Sequence, residues 1–319
     1  MMNIKIMSWN HIPWSSMLKV RFTESPMQNP IVSFEFFPPS DEAMAQLLWQ
    51  SVQRLAPLQP SFVSVTYGAD GSTRTRTHGC VLRILSETNL RVAPHLTCVA
   101  ASRAEVLSIA QDYWDHGVRH LVALRGDAPA SHKSAEGHYL PHPGGFAFAS
   151  DLVGGLKQIG DFELSVAAFP EGHPESDSVA ADLDNLKRKI DAGANRAITQ
   201  FFFDTDCYLR YRDRCVGAGI DVSIVPGILP ITRFPQMVKV AARCGASVPE
   251  WLHQRFDGLD DDPDTRRMIA ANVAIEQVQR LRQHGVHEFH FYTLNRAELT
   301  YAICHALGLR PRDSEARVA

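Results

Sequence analysis

Short apolar runs alternate with amphipathic stretches through most of this 319-residue chain, and the two periods separate cleanly. Eight runs have the alternation or the continuous apolar character of buried strands: Ile31 to Phe37, Phe62 to Tyr67, Val92 to Val99, His120 to Leu124, Leu164 to Phe169, Arg196 to Phe203, Val222 to Ile228 and Glu288 to Thr293. Helical spacing lies between and after them, as in Asp41 to Leu55, Arg103 to His116, Asp177 to Ala192, Cys207 to Ala218, Arg266 to His284 and Arg296 to Leu307. Several of these stretches stop at a glycine, for example Gly117, Gly193 and Gly285. Eight strand-helix units without a linker or a change of composition predict an α/β fold, a single closed (β/α)₈ TIM barrel over residues 30–310. A doubly wound Rossmann domain fits less well, because no GxGxxG follows the first strand.

Three segments fall outside the repeating pattern. Residues 1–29 are interrupted by His11, Pro13 and Lys19 and end in the loop-like SPMQNP, so they are expected to be a poorly ordered extension, and 311–319 a loose tail. Between the seventh and eighth strands, Val248 to Asp264 breaks helical order around Pro249 and carries GLDDDPD. The acidic run reads as a solvated loop that caps the helix from Thr265, with a metal site as the weaker alternative.

Composition narrows the partners. Hydrophobic residues make up 45% and charged ones 21%, enough apolar material for a sizeable core. A net charge of −3, with no basic block, gives no electrostatic reason to expect nucleic acid or an anionic membrane, and leaves small molecules. No window approaches the roughly 20 apolar residues of a membrane helix. The six cysteines have neither CxxC nor metal-finger spacing, so reduced thiols, no metal site and a cytoplasmic location are expected.

In a barrel of this kind chemistry sits at the C-terminal ends of the strands, and here those ends are polar. Strand one places Glu35 on the same face as Ser33 and Phe37 before Pro38 and Pro39 stop it. Such a carboxylate is either a satisfied core acid or an acid or base held in a dry pocket. The other ends supply Thr66 and Tyr67, His95 and Thr97, Arg125 to Asp127, Glu171 and His173, Gln200, Gly227, and finally Tyr292, Asn295 and Arg296. The crown contains no HExxH and no nucleophile elbow. On the helix after strand five, Asp182, Asn185 and Lys189 share one face with Arg188 beside them, opposite Leu183, Leu186 and Ile190. That face is either solvated or a site where Arg188 and Lys189 meet a diphosphate.

The segments VSFEFFPP, FVSVTYGA, APHLTC, HLVALRGD, SVAAFPEGHPES, NLKRKIDAGANRAITQFFFD, VPGILP and FHFYTLNRAE resemble, in order, those of the bacterial-type methylenetetrahydrofolate reductases. The resemblance runs from about Val32 to Arg310. It implies an FAD barrel that takes a hydride from NADH or NADPH and passes it, in a ping-pong scheme, to 5,10-methylenetetrahydrofolate, giving 5-methyltetrahydrofolate for methionine synthesis. By position, Glu35 matches the general acid, in a setting expected to favour its protonated form. Asp127 matches an acid near both flavin and pterin, and Gln200 an amide that bonds the folate ring. Tyr67, Ala69, His95, Arg125, Gly126, Ala149, His173, Asp182, Asn185, Arg188 and Lys189 match flavin contacts. Thr66 matches a residue associated with the nicotinamide, and Gln236 and Arg296 match folate contacts. A homo-oligomer, in the bacterial type a tetramer, is also implied.

Two positions depart from the family's pattern: Phe169 stands where a tyrosine is usual near the flavin, and Val240 where a phenylalanine often lies against the substrates. These departures motivate the alternative of a folate- or flavin-binding protein without turnover. Another flavin barrel, such as a proline dehydrogenase, is the competing enzyme, and it would require neither Gln200 nor the acid of VSFEFFPP.

Overall fold

The computed structural model describes residues 29–67 and 74–312. Most of the expected N-terminal extension, the tail beyond Arg312 and the predicted flavin contact Ala69 lie outside these residues. Strands β1 (Ile31–Phe36), β2 (Val63–Val65), β3 (Val92–Thr97), β4 (His120–Leu124), β5 (Glu163–Ala168), β6 (Arg196–Thr199), β7 (Ser223–Val225), β8 (Gly227–Ile228) and β9 (Glu288–Tyr292) pair in parallel in the order β7-β6-β5-β4-β3-β2-β1-β9-β8.

The described strands number nine rather than the eight expected, because Pro226 divides the seventh run. Proline cannot donate to a ladder. The piece before it pairs with β6 and the piece after it with β9, so the ring closes through this one segment, and the Pro226 carbonyl accepts from His290 N at 3.0 Å. The sixth run also stops early, at Thr199 instead of Phe203. Its aromatic tail leaves the ladder to be buried: Phe202 stacks on Tyr208 at 5.2 Å, while Phe201 and Phe203 join an apolar cluster above the barrel.

The surrounding helices are α1 (Glu42–Leu55), α2 (Arg74–Glu87), α3 (Arg103–Asp115), α4 (Ala149–Leu156), α5 (Val179–Asp191), α6 (Thr205–Gly217), α7 (Phe234–Cys244), α8 (Glu250–Phe256), α9 (Pro263–Gln283) and α10 (Ala297–Ala306). Local signals start them. Asp41 accepts from Met44 N at 2.8 Å, Ser178 accepts from Ala181 N at 3.1 Å, and Ser102 with Glu105 forms a reciprocal capping box. The acidic run caps as expected, Asp262 accepting from Thr265 N at 3.0 Å. The stretch before it is more ordered than its sequence suggests. Pro249 precedes α8, whose Leu252 and Phe256 are buried, and Phe256 stacks on Phe234 at 4.9 Å.

Outward strand residues such as Phe34, Phe36, Leu96, Leu121, Phe289 and Phe291 pack against the helices, each buried side chain contributing about 2–3 kcal/mol. Inside the barrel Phe62, Ala93, Val122 and Ile198 form a small buried apolar group, with Val122 and Ile198 reaching the cavity above. Around it are buried polar side chains: Ser33, Ser64, His120, Ser165 and His290. Burial pushes His120 down to about 3, so it sits neutral, with Nε2 2.8 Å from Ser165 Oγ. Below it Arg196 pairs with Glu163 and lies 3.7 Å from Glu288. This polar interior is the floor on which the cavity at the other end rests.

Candidate active site

At the C-terminal ends of the strands a cavity of about 1090 Å³ is lined by Glu35, Phe37, His95, Gln200, Tyr292 and Arg296, among others. Alternation along β1 turns Ser33 and Glu35 inward, and the register sets Ser33 beside His290 and Glu35 beside Tyr292. The Glu35 carboxylate is 8% exposed, with Oε2 3.2 Å from His95 Nε2 and 3.7 Å from His290 Nε2. Ser33 Oγ lies 2.7 Å from Nδ1 of that second ring. Burial alone would raise the carboxyl, but the contacts with His290 and His95 outweigh it and hold Glu35 at about 2. The protonated carboxyl expected from its apolar neighbours in sequence is therefore replaced by a carboxylate facing two imidazoles.

Across the cavity Gln200 is fixed by its own backbone, N donating to Ala168 O at 2.8 Å, while Oε1 accepts from Phe201 N at 3.0 Å. Tyr292 OH donates to Thr199 O at 2.7 Å and holds the phenol against the wall. Gly227 makes this possible, because a Cβ there would collide with Thr199 O and lie 2.6 Å from the Tyr292 ring. Gln236 and Arg296 are exposed at the mouth, and Val240 lines the wall beside Met237.

A second group of side chains lies along the ends of β4 and β5 and on α5. Arg125 pairs with Glu175 at 2.7 Å and lies over the Tyr139 ring, 4.8 Å from its centroid. Gly126 has φ +88, and a Cβ would stand 2.7 Å from Val99 Cγ1, so only glycine fits. Lys189 is 5% exposed and donates to Ala167 O at 2.6 Å. Burial pushes its ammonium down to about 8 although Asp182 pulls the other way. Burial likewise raises Asp182, against the pull of Lys189. Burial and the nearby Arg125 lower His173, whose ring meets Phe169 edge-on at 4.6 Å.

A profile described as Methylenetetrahydrofolate reductase matches residues 21–308, nearly the whole chain. The chain belongs to the methylenetetrahydrofolate reductase family. Its relatives include the 5,10-methylenetetrahydrofolate reductases of Pectobacterium carotovorum, 57% identical over 88% of this chain and 91% of the relative, and of Escherichia coli K12, 56% identical over the same shares. Methylenetetrahydrofolate reductase (NADH) 1 of Arabidopsis thaliana is 33% identical over 87% of this chain and 48% of its own length. Among solved structures, a Clostridium thermocellum protein that binds two copies of 5-methyl-5,6,7,8-tetrahydrofolic acid shares the fold, with a TM-score of 0.57 and 13% identity over 89% of this chain and 95% of its own. The family match begins within the segment 1–29, further toward the N-terminus than the motifs reach.

For a reductase of this family, the residues singled out from sequence divide into two sets. Glu35, His95, Gln200, Gln236, Val240 and Arg296 share the cavity. Arg125, Gly126, Asp127, Phe169, His173, Asp182, Asn185 and Lys189 lie beyond its lining, on β4, β5, their loops and α5. Ala167 joins the two sets, lining the cavity and accepting from Lys189. The burial of Asp182 and Lys189 excludes a fully solvated helix face, whereas Arg188 is exposed. Asp127 is exposed on the rim, Ala149 opens α4, and Thr66 follows β2 with N bonded to Phe36 O at 3.0 Å; neither Thr66, Tyr67 nor Ala149 lines the cavity.

Sequence reasoning missed His290. The signal was present, since alternation in EFHFY turns His290 inward together with Glu288 and Tyr292, one step below the strand end. Glu175, the partner of Arg125, was also missed.

Proposed function

We propose that the chain reduces 5,10-methylenetetrahydrofolate to 5-methyltetrahydrofolate, with FAD as bound cofactor and NADH or NADPH as hydride donor, the two half-reactions alternating in one site. The observation that carries this reading is the carboxylate of Glu35 between His95 and His290 at the wall of a cavity it shares with Gln200. The NADH in the Arabidopsis relative's name supports that donor.

The second group of side chains fits a flavin dinucleotide. Lys189 is a buried cation that donates to a carbonyl at 2.6 Å, and Arg125 offers a guanidinium beside the Cβ-free Gly126. These residues, with His173, Asp182, Asn185 and Arg188, would hold FAD, Lys189 and Arg125 facing its diphosphate. When bound, the flavin supplies the redox chemistry, accepting a hydride from the nicotinamide and giving it to the one-carbon unit.

The protein's own part is to place the folate and deliver one proton. Gln200 offers an amide to the edge of the pterin, and Arg296 at the mouth suits a carboxylate tail. The five-membered ring of the substrate opens when one of its nitrogens is protonated. Glu35 at the cavity wall delivers that proton, and the 3.2 Å contact between His95 Nε2 and Glu35 Oε2 gives the path by which the carboxylate takes it up. Ser33 fixes the His290 ring so that Nε2 points at the same carboxylate. The test is to load the purified protein with FAD, reduce it anaerobically with NADH, and add methylenetetrahydrofolate. Reoxidation with formation of 5-methyltetrahydrofolate is expected; failure to bind FAD, or reduced flavin that ignores the folate, overturns the reading.

A further inference from the structure

We propose that Asn295 is a positioning residue that extends the β1–β9 ladder past its last backbone pair and so sets the aim of Glu35 and Phe37 into the cavity. This rests on the reductase reading above. The ladder between β1 and β9 ends at the pair Glu35 and Tyr292. Pro38 and Pro39 follow, and with no N–H between them they give β1 no way to continue. Phe37 would be left with an unpaired donor and acceptor. The Asn295 amide supplies both partners: Oδ1 accepts from Phe37 N at 2.8 Å and Nδ2 donates to Phe37 O at 2.9 Å. One carboxamide thus takes the place of a peptide group in a strand that has already ended.

The neighbouring turn is arranged for the same purpose. Thr293 Oγ1 donates to Glu35 O at 2.6 Å, and Asn295 N returns to that hydroxyl at 3.2 Å. Ser51 of α1 locks the far side, donating to Asn295 O at 2.8 Å. To reach Phe37, both Leu294 and Asn295 adopt left-handed backbone, with φ of +53 and +55. Left-handed backbone is unfavourable for leucine, so the strained turn persists because the bonds around it over-determine it. The main chain held in this way belongs to Glu35 and Phe37, whose side chains both line the cavity, and the turn leads directly into Arg296 at its mouth.

The deciding comparison uses two substitutions in the FAD-loaded enzyme. Asn295→Gly tolerates the positive φ and removes both side-chain bonds, while Asn295→Asp keeps the acceptor for Phe37 N and loses the donor. Each half-reaction is followed separately, together with thermal unfolding. For Asn295→Gly the folate half-reaction is expected to slow roughly 10-fold, with a smaller change in folate KM, while reduction by NADH stays within about 2-fold of wild type, and Asn295→Asp recovers part of the loss. Equal slowing of both half-reactions, or no slowing of either, overturns the positioning role. A wild-type enzyme that fails to reduce folate would instead overturn the reductase reading itself.

Discussion

Glu35 and His290 meet across the seam where β1 and β9 pair, the imidazole Nε2 lying 3.7 Å from the carboxylate while Nδ1 of the same ring lies 2.7 Å from Ser33 Oγ. With His95 at 3.2 Å on the opposite side, the carboxylate has an imidazole on either flank. Glu35 is therefore part of a cluster with His95, His290 and Ser33 rather than a lone buried acid. Contacts with the two rings hold its carboxyl well below the usual carboxylate range, so it is ionised at neutral pH.

The direct consequence concerns Glu35→Gln. An amide keeps the shape and the hydrogen bonds but cannot pass a proton on. FAD binding and reduction by NADH should stay near wild type, while the folate half-reaction falls by about 10²–10⁴, as for removal of a general acid. Stopped-flow measurement of the two half-reactions checks this, and folate reduction at the wild-type rate would return Glu35 to a structural role.

Acid stability carries a second signature. Glu35 is held at about 2, below its ordinary value of 4.5, so the unfolded chain takes up the proton first. Its stabilising contribution is complete above about pH 4.5 and is lost as the pH falls toward 2. Replacing both His95 and His290 by Leu removes the contacts that lower the carboxyl and leaves burial, which raises it. In that variant the folded state binds the proton first, and the contribution of Glu35 to stability should grow on acidification toward pH 4.5. Urea titrations at a series of pH values measure the difference, and an unchanged pH dependence would show that the imidazoles do not hold the carboxylate.

The chain's periodicity carried the barrel, since six of the eight expected strands and all six named helices lie where the pattern puts them, within a few residues. The pattern failed where tertiary contacts override it. Pro226 splits a run that reads as one strand, Phe201 to Phe203 exchange the ladder for burial, and Pro249 opens a helix that a break in periodicity concealed. The strand-end rule brought Glu35, His95 and Gln200 to one cavity. The charge on Glu35 was not legible in the same way. It depends on two imidazoles from strands far away in sequence, and the apolar residues next to Glu35 in sequence point outward to the helices.

Lys189 should make FAD binding pH-dependent. Burial holds its ammonium at about 8, below the ordinary 10.5, and an adjacent diphosphate would restore the charged form. Above about pH 8 binding then requires uptake of a proton. FAD affinity should fall by up to about tenfold per pH unit until the bound-state value is reached, and Lys189→Met should abolish that slope. Fluorescence titration of the apoprotein between pH 7 and 10 reads both, and a flat profile in the wild type would place the diphosphate elsewhere.

Gly227→Ala tests whether the wall formed by Tyr292 depends on backbone contact. The added methyl would collide with Thr199 O, which already accepts the Tyr292 hydroxyl at 2.7 Å, and with the Tyr292 ring itself. Thr199 Oγ1 accepts from Gly227 N at 2.9 Å, so the strand cannot shift outward without breaking that bond as well. The side chain free to yield is Tyr292, and it yields into the cavity. A stability loss of about 1–3 kcal/mol is expected from overpacking, accompanied by a rise in folate KM larger than any fall in the rate of reduction by NADH. Combining it with Tyr292→Phe, which removes the hydroxyl but keeps the ring, should leave most of the KM defect in place, whereas Tyr292→Ala removes the ring contact but not the contact with Thr199 O and should not recover stability. If Gly227→Ala binds folate normally, the Tyr292 ring does not define that wall.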